Sequence, residues 1–533
     1  MTPHLTRRSM EKRLFLAIFL STAILILYNL IVYRHLDKRE VPLPHEVEEA
    51  APAPQKVEMV EPKEAMEIPR EDLLLETDLL RIELSPGGEV EGWWLKNFKE
   101  KGVGEEVNMV QVQPPVRPLG LSIHGERIIP DAFQSCEERR VFIYESSPLL
   151  NGVRIEKIFT LGEDPYTVKV DLLFKNPTQE EIDLEGFSLG WRGGTLNLFG
   201  EEELGDVGHV YFDGERLRKI RHKGREGFFR KMMTSLGLAQ KRPHVGEEIK
   251  PSIKPIWISQ KGRYFLTLII PTPHKSSAIF RRTKEGFLEM ELLAKEISVP
   301  PLGSKTLSYK IYGGPKDYEI LKRLYPGAEG LAGLNLLSLL TVKTLRFFYG
   351  FCHNYGVAII LLAVVIKVLL YPLSHASLKS MRSMQRLQPE MNRLRAKYKD
   401  DREQLHREIM LLYRRHKVNP LSGCFPLLLQ LPVLYAIFTA LRGAVELRGA
   451  PFILWIKDLS EHDPFYVLPL MMGGTMFIQQ RLSIPDPQQA KGMIIMTVVF
   501  TFLFMHFPSG LVLYWLFQNI LAIGQQLVIN RIR

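Results

Sequence analysis

One lysine, Lys367, lies inside the apolar run Val364-Val365-Ile366-Lys367-Val368-Leu369-Leu370-Tyr371-Pro372-Leu373, where a charge is costly. A lysine well inside a membrane helix costs about 2.5–3.5 kcal/mol on insertion-derived scales, so by default it faces a wet cavity or a partner. The competing account is snorkelling, because Leu373 is only about 9 Å of helix rise away. Across six apolar segments Lys367 is the single Lys, Arg, Asp or Glu, so no carboxylate within them pairs with it. Ion-coupled transport usually needs buried carboxylates or unwound ion sites. Their absence counts against a small-solute transporter or channel and excludes an aspartyl intramembrane protease. The run His506-Phe507-Pro508-Ser509-Gly510 offers a serine in a short turn, but no second oriented base and no glycine-rich oxyanion loop. What remains is one positive charge among uncharged polar candidates: Gln430, Gln479, Thr497, Thr501, Gln518 and Gln525. Each also suits a hydrogen bond between helices.

No metal, cofactor or catalytic set is expected. His124, His209, His222, His244 and His274 lack ligand-like spacing, and Cys136, Cys352 and Cys424 are too few and scattered for a zinc site or disulfide framework. The net charge of +10 in 533 residues suits nucleic acid, an anionic membrane surface or positive loops beside a membrane; its placement decides.

The elements that must hold Lys367 follow from where apolar residues collect. Leu14–Tyr33 is 20 uncharged residues behind Arg7, Arg8, Lys12 and Arg13, longer than a signal-peptide core and without a small-x-small exit, so residues 1–34 read as an uncleaved anchor. Five further segments follow: Gly356–Leu373, Cys424–Leu441, Phe465–Gln480, Met493–Phe507 and Leu511–Val528. The loop Ser374–Lys417 carries 12 Lys/Arg against 5 Asp/Glu, Arg442–Pro464 carries 3 against 4, and Arg481–Gly492 carries 2 against 1. Positive loops mark the cytoplasm. Both termini are therefore expected inside, with the stretch from about Arg34 to Tyr355 outside.

That outer stretch divides in two. Val41–Glu71 holds 6 prolines and 8 acidic residues among 31, which makes residues 35–71 an extended linker. Residues 72–322 read as β. Tyr166, Val168, Val170, Leu172 and Phe174 alternate as a half-buried strand should, and short runs of similar character recur without interleaved helices. An all-β sandwich is the expected result.

Two segments and two short spans complete the expectation. Residues 331–353 are Leu- and Phe-rich with interspersed polar residues and read as a helix in the outer interface, with an extension of the next span as the alternative. Within 374–417, Met384, Leu387, Met391, Leu394 and Tyr398, then Leu405, Ile409, Leu412 and His416, follow helical spacing on either side of Asp400-Asp401. That pattern is an antiparallel helical hairpin. Met381, Met384 and Met391, with Arg386 and Arg393, are candidate contacts for a client or a ribosome. Phe465–Gln480 and Met493–Phe507, at 16 and 15 residues, reach only ~24 and ~22 Å against a core of about 30 Å, and so would thin the bilayer around them.

Several stretches then occur in a telling order: Val418-Asn419-Pro420-Leu421-Ser422-Gly423-Cys424-Phe425-Pro426, Gln430-Leu431-Pro432, and Phe507-Pro508-Ser509-Gly510-Leu511-Val512-Leu513-Tyr514-Trp515. Trp455-Ile456-Lys457-Asp458-Leu459-Ser460, Asp463-Pro464-Phe465-Tyr466 and Leu387-Gln388-Pro389 support them. On these motifs the chain resembles the bacterial YidC insertases of the YidC/Oxa/Alb superfamily along nearly its whole length. The resemblance implies a six-helix transmembrane protein, an anchor plus a five-helix core at 356–528, with a periplasmic β-supersandwich in the inner membrane. It implies insertion of newly made membrane proteins, alone or beside the Sec translocon, through a groove open to cytoplasm and lipid. Lys367 takes the place of the groove's usual arginine, and Leu431, Leu434, Tyr514, Trp515 and Gln518 fall on the client path. The tail 529–533 lacks a long basic extension, so ribosome contact through it would be weak. The other expected partner is the phospholipid bilayer; direct nucleic-acid recognition is not expected.

Overall fold

The computed structural model describes residues 73–531, except 101–103, 111–116, 124–125, 137–140, 147, 150–151, 195–207, 221–247, 273–275, 284–287, 400, 417–424 and 484–486. The expected anchor, the acidic linker and the Val418–Cys424 motif lie outside the described residues.

From Leu74 to Pro315 the chain forms three antiparallel sheets of nine, five and four strands. The alternation in Thr167–Lys175 works as a strand with one buried face: Val168, Val170, Leu172 and Phe174 are buried and pair in register with Ile311, Tyr309, Leu307 and Lys305. Tyr166 departs from its expected place in that strand. It occupies a turn with φ +60° and packs its ring against Tyr312. The nine- and five-stranded sheets meet face to face, where Phe174 and Phe187 stand edge-on with ring centres 5.2 Å apart. Trp93, from the four-stranded sheet, meets Trp191 of the five-stranded sheet at 5.6 Å and donates Nε1–H to Gly313 O of the nine-stranded sheet at 2.8 Å. Only a glycine fits at Gly313, since an added Cβ would stand 2.6 Å from the Trp93 ring.

A charge is buried here as well. Lys157 is 4% exposed and donates to Gly88 O at 2.5 Å and to Leu119 O, with Phe159 under its ammonium. Burial pushes its amine down to about 7, against the opposing pull of the Glu89 carboxylate. Burial likewise pushes Glu89 up, offset by its ion pair with Arg127 and by Lys157.

The β-domain's core continues into helix α1 (Tyr318–Leu324) and a 3-10 turn at Ala328–Ala332, where Leu331 is buried. The segment expected at 331–353 is therefore divided. Gly333 takes φ +69°, Asn335 caps the following turn, and helix α2 runs over Leu336–Cys352. Its polar Ser338 and Thr341 face inward, whereas Leu336, Leu337, Leu340, Phe347 and Phe351 are exposed. At His353 the backbone turns left-handed, and Asn354 accepts from Gly356 N and Val357 N to start α3 (Tyr355–Leu369). Thus α2 is not an extension of α3.

The expected span Gly356–Leu373 also ends early. Pro372 has no N–H to continue the helix ladder, so α3 stops at Leu369 and α4 (Tyr371–Arg386) begins a new helix. A further break at Leu387-Gln388-Pro389 precedes α5 (Gln388–Lys397), and α6 (Arg402–Arg415) packs back on it. The bundle is completed by α7 (Phe425–Gly443), α8 (Val467–Ser483), α9 (Pro487–Phe504) and α10 (Ser509–Arg531). Among the described residues, Ser509–Ile529 is long and apolar enough by itself to cross a membrane, and Tyr355–Leu369 and Met493–Phe504 are shorter apolar helices. At 15 residues α3 rises only about 22 Å.

The β-domain is fixed to the bundle at one end. Arg346 of α2 donates to Asp317 Oδ2 at 2.5 Å and to Glu446 Oε1 at 2.8 Å, tying the cap of α1 to the loop after α7. Arg263 donates to Arg442 O at 3.1 Å, and Val445 packs into the β-domain's core.

Candidate functional site

Lys367 occupies the last turn of α3, where unpaired carbonyls gather partial negative charge that favours a cation. The side chain is half-buried, and among the described residues it makes no hydrogen bond or ion pair. Its neighbours Val368 and Leu369 point outward at 66% and 71% exposure, so the charge lies at the bundle's edge.

Helix α10 supplies the polar side of this region. Tyr514, Gln518 and Gln525 recur at spacings of four and seven and so share one face of the helix. Gln518 Nε2 donates to Ala363 O at 2.9 Å, one turn before Lys367. Gln525 Nε2 donates to Ser374 Oγ at 3.3 Å, beyond the break that ends α3. These two contacts bracket Lys367 along the chain. Buried Tyr514 places its hydroxyl beside the amides of Gln430 and Gln518, which joins α7 to the same face. Leu434 packs, half-buried, against the bundle core one turn after Gln430. The backbone of Leu431 lies in α7.

Other expected lining residues lie on α9 and α10. Thr497 and Thr501 return their hydroxyls to Met493 O and Thr497 O of their own helix, and Thr501 packs on Gly473 of α8. Thr501 thereby serves the α8–α9 contact. Trp515 is buried against Phe500 and Phe504 of α9, whereas Gln518 reaches α3. Asn519, for which residue type and spacing gave no signal, donates to Thr475 Oγ1 at 3.2 Å and fastens α10 to α8.

In the hairpin, Met391 is buried and accepts a contact from Tyr413 Oη at 3.4 Å; with Leu387 and Leu412 it forms the small core that holds α5 against α6. It is thus committed to packing within the hairpin. Arg386 and Arg393 are exposed on the outside of the same hairpin. Met381 and Met384 fall in α4. Among the described residues, no group of His, Cys, Asp or Glu is placed to hold a metal ion.

A bundle of apolar helices with Lys367 at its edge, a basic hairpin at one end and a β-domain bolted to the other defines an integral membrane protein with a large extramembrane domain. Residues 347–533 match the 60Kd inner membrane protein family, and residues 73–338 match the YidC periplasmic domain. The membrane protein insertase YidC of Syntrophus aciditrophicus is 33% identical over 98% of this chain and 100% of its own length. That of Geobacter metallireducens is 34% identical over 98% of both. That of Geobacter sulfurreducens is 47% identical over 53% of this chain and 54% of its own. The chain belongs to the YidC membrane protein insertase family.

Proposed function

We propose that the protein inserts newly made membrane proteins into the inner membrane and assists their folding and assembly, alone or beside the Sec translocon. The observation that carries this reading is Lys367, uncompensated among the described residues and bracketed by the Gln518–Ala363 and Gln525–Ser374 contacts. A cation on a polar face at the bundle's edge attracts the hydrophilic, acidic segment of a client and lowers the cost of its entry into a low-dielectric region. Lysine acts there as a point charge, without the planar fork of arginine, so the attraction is electrostatic and not bidentate. The shortness of α3 supports the same reading, since a helix of about 22 Å thins the bilayer that surrounds it. The exposed arginines of the hairpin, Arg386 and Arg393, offer a cytoplasmic landing surface for a client or ribosome and for anionic lipid.

The test is complementation in a bacterium depleted of its own insertase, scoring growth and insertion of a small client for wild type, Lys367→Arg, Lys367→Ala and Lys367→Glu. Rescue by wild type and Arg, with Glu inactive, is expected. Equal rescue by all four removes Lys367 from the client path, and failure of well-expressed wild type overturns the function itself.

A further inference from the structure

The loop between α7 and α8 carries four large apolar side chains, Ile453, Leu454, Phe465 and Tyr466, outward on a strained and heavily braced backbone. Leu454 has φ +53° and is 81% exposed; Tyr466 has φ +57° and is 40% exposed. Left-handed backbone is unfavourable for side chains of this size and persists only where the surroundings impose it. Here they do. Asp463, fully buried, accepts from Trp455 Nε1 at 3.0 Å, Phe465 N at 3.0 Å and Leu468 N at 2.7 Å. Ser509, at the start of α10, donates through its Oγ to Glu461 O at 2.7 Å, and Asn354 donates to Phe452 O at 3.1 Å. The middle of the loop and its end before α8 are joined by the edge-on rings of Trp455 and Phe465, 6.4 Å apart, so Ile453, Leu454, Phe465 and Tyr466 form one rigid patch.

We propose that this patch is a lipid-binding surface, seated in the headgroup and upper acyl region of the leaflet on the β-domain side. Its position on that side follows from Arg263 of the β-domain, which donates to Ser460 O at 3.4 Å within the same loop. The patch runs on into the exposed face of α8, where Leu470 and Met471 continue from Phe465 and Tyr466 one turn later. Trp and Tyr are the side chains that settle at a membrane–water boundary. The loop's polar residues Lys457 and His462 are exposed between the two apolar stretches, which gives the loop a wet side as well as a greasy one. A preformed loop of this kind holds the bundle at a fixed depth without ordering any residue on contact. The proposal stands apart from the client path at Lys367, and its readout is depth rather than insertion.

The full-length protein, with its native cysteines replaced by serine, is reconstituted into phosphatidylethanolamine/phosphatidylglycerol vesicles. A polarity-sensitive fluorophore is attached at Leu454→Cys, at Phe465→Cys or at the wet control Lys457→Cys. Labels at 454 and 465 are expected to show blue-shifted emission, loss of quenching by aqueous iodide, and quenching by nitroxide carried at shallow acyl positions, while 457 stays open to iodide. Equal iodide quenching at all three positions, with no lipid-borne quenching, overturns the proposal. Protection from iodide without lipid-borne quenching also overturns it, in favour of a protein partner. Two labelled sites keep the test decisive if one variant fails to fold.

Discussion

Replacing Lys157 with methionine isolates the energetics of the charge buried in the β-domain. The amine ordinarily titrates at 10.5 and is pushed down to about 7 by burial. Between those values the unfolded chain binds a proton that the folded chain does not, so wild-type stability rises with pH across the window from about 7 to 10.5. Tenfold weaker proton binding corresponds to about 1.4 kcal/mol, so the whole window amounts to about 5 kcal/mol. Methionine keeps the stem's volume but removes the donor from Gly88 O and Leu119 O, a cost of about 1–3 kcal/mol for each acceptor left unpaired. The variant is therefore expected to be the less stable protein at pH 10. It gains on the wild type as pH falls, by about 1.4 kcal/mol per pH unit, until the two curves run parallel below about pH 7. Reversible urea unfolding of the full chain in detergent, followed by tryptophan emission, reads this directly because Trp93, Trp191 and Trp257 are buried in the affected domain. Parallel curves from pH 7 to 10 would refute the reasoning and show that the two carbonyls and Glu89 keep the ammonium charged.

At the joint, a double-mutant cycle of Arg346→Ala and Glu446→Ala should return a coupling of about 1–3 kcal/mol, between exposed and fully buried pairs, in thermal melts of purified protein. Gly313→Ala should destabilise the β-domain by about 1–3 kcal/mol, because the new methyl meets the Trp93 ring; an unchanged melting temperature would mean that the three-sheet junction yields. In the hairpin, Met391→Ala should cost about 2 kcal/mol of local stability, whereas Met410→Ala, at an exposed position, stays within about 0.5 kcal/mol. Amide hydrogen exchange over α5 and α6 separates the two. The Lys367 series adds a functional prediction to these structural ones.

What could be read in the sequence was local. The alternation in Thr167–Lys175 and the helical spacing of Leu387, Met391 and Leu412 both reappear as buried faces. Trp93's strand, Val90–Lys99, was illegible because Gly92 and the Trp93-Trp94 pair interrupt its alternation. Pro130–Cys136, polar and beginning with proline, lies at the edge of the nine-stranded sheet, where one partner suffices and no alternation is required. At the site, the types and spacing of Tyr514, Gln518 and Gln525 were legible, but the acceptor for Gln518 is the backbone carbonyl of Ala363, which leaves no trace in residue identity. The clamp Asp317–Arg346–Glu446 joins residues 29 and 100 positions apart, beyond any local pattern. The i−4 hydrogen bonds of Thr497 and Thr501 were open to any hydroxyl in an apolar helix, so residue type alone could not say which carbonyl each would take.

Val445 completes the β-domain's hydrophobic interior although it belongs to the loop that follows α7. During synthesis every strand leaves the ribosome before Val445 does, so the exported sheets must wait with one seat in their interior empty. The seat fills only when α7 has been made and has brought the loop that follows it to the β-domain. Closure of the outer domain therefore records the placement of a helix made later.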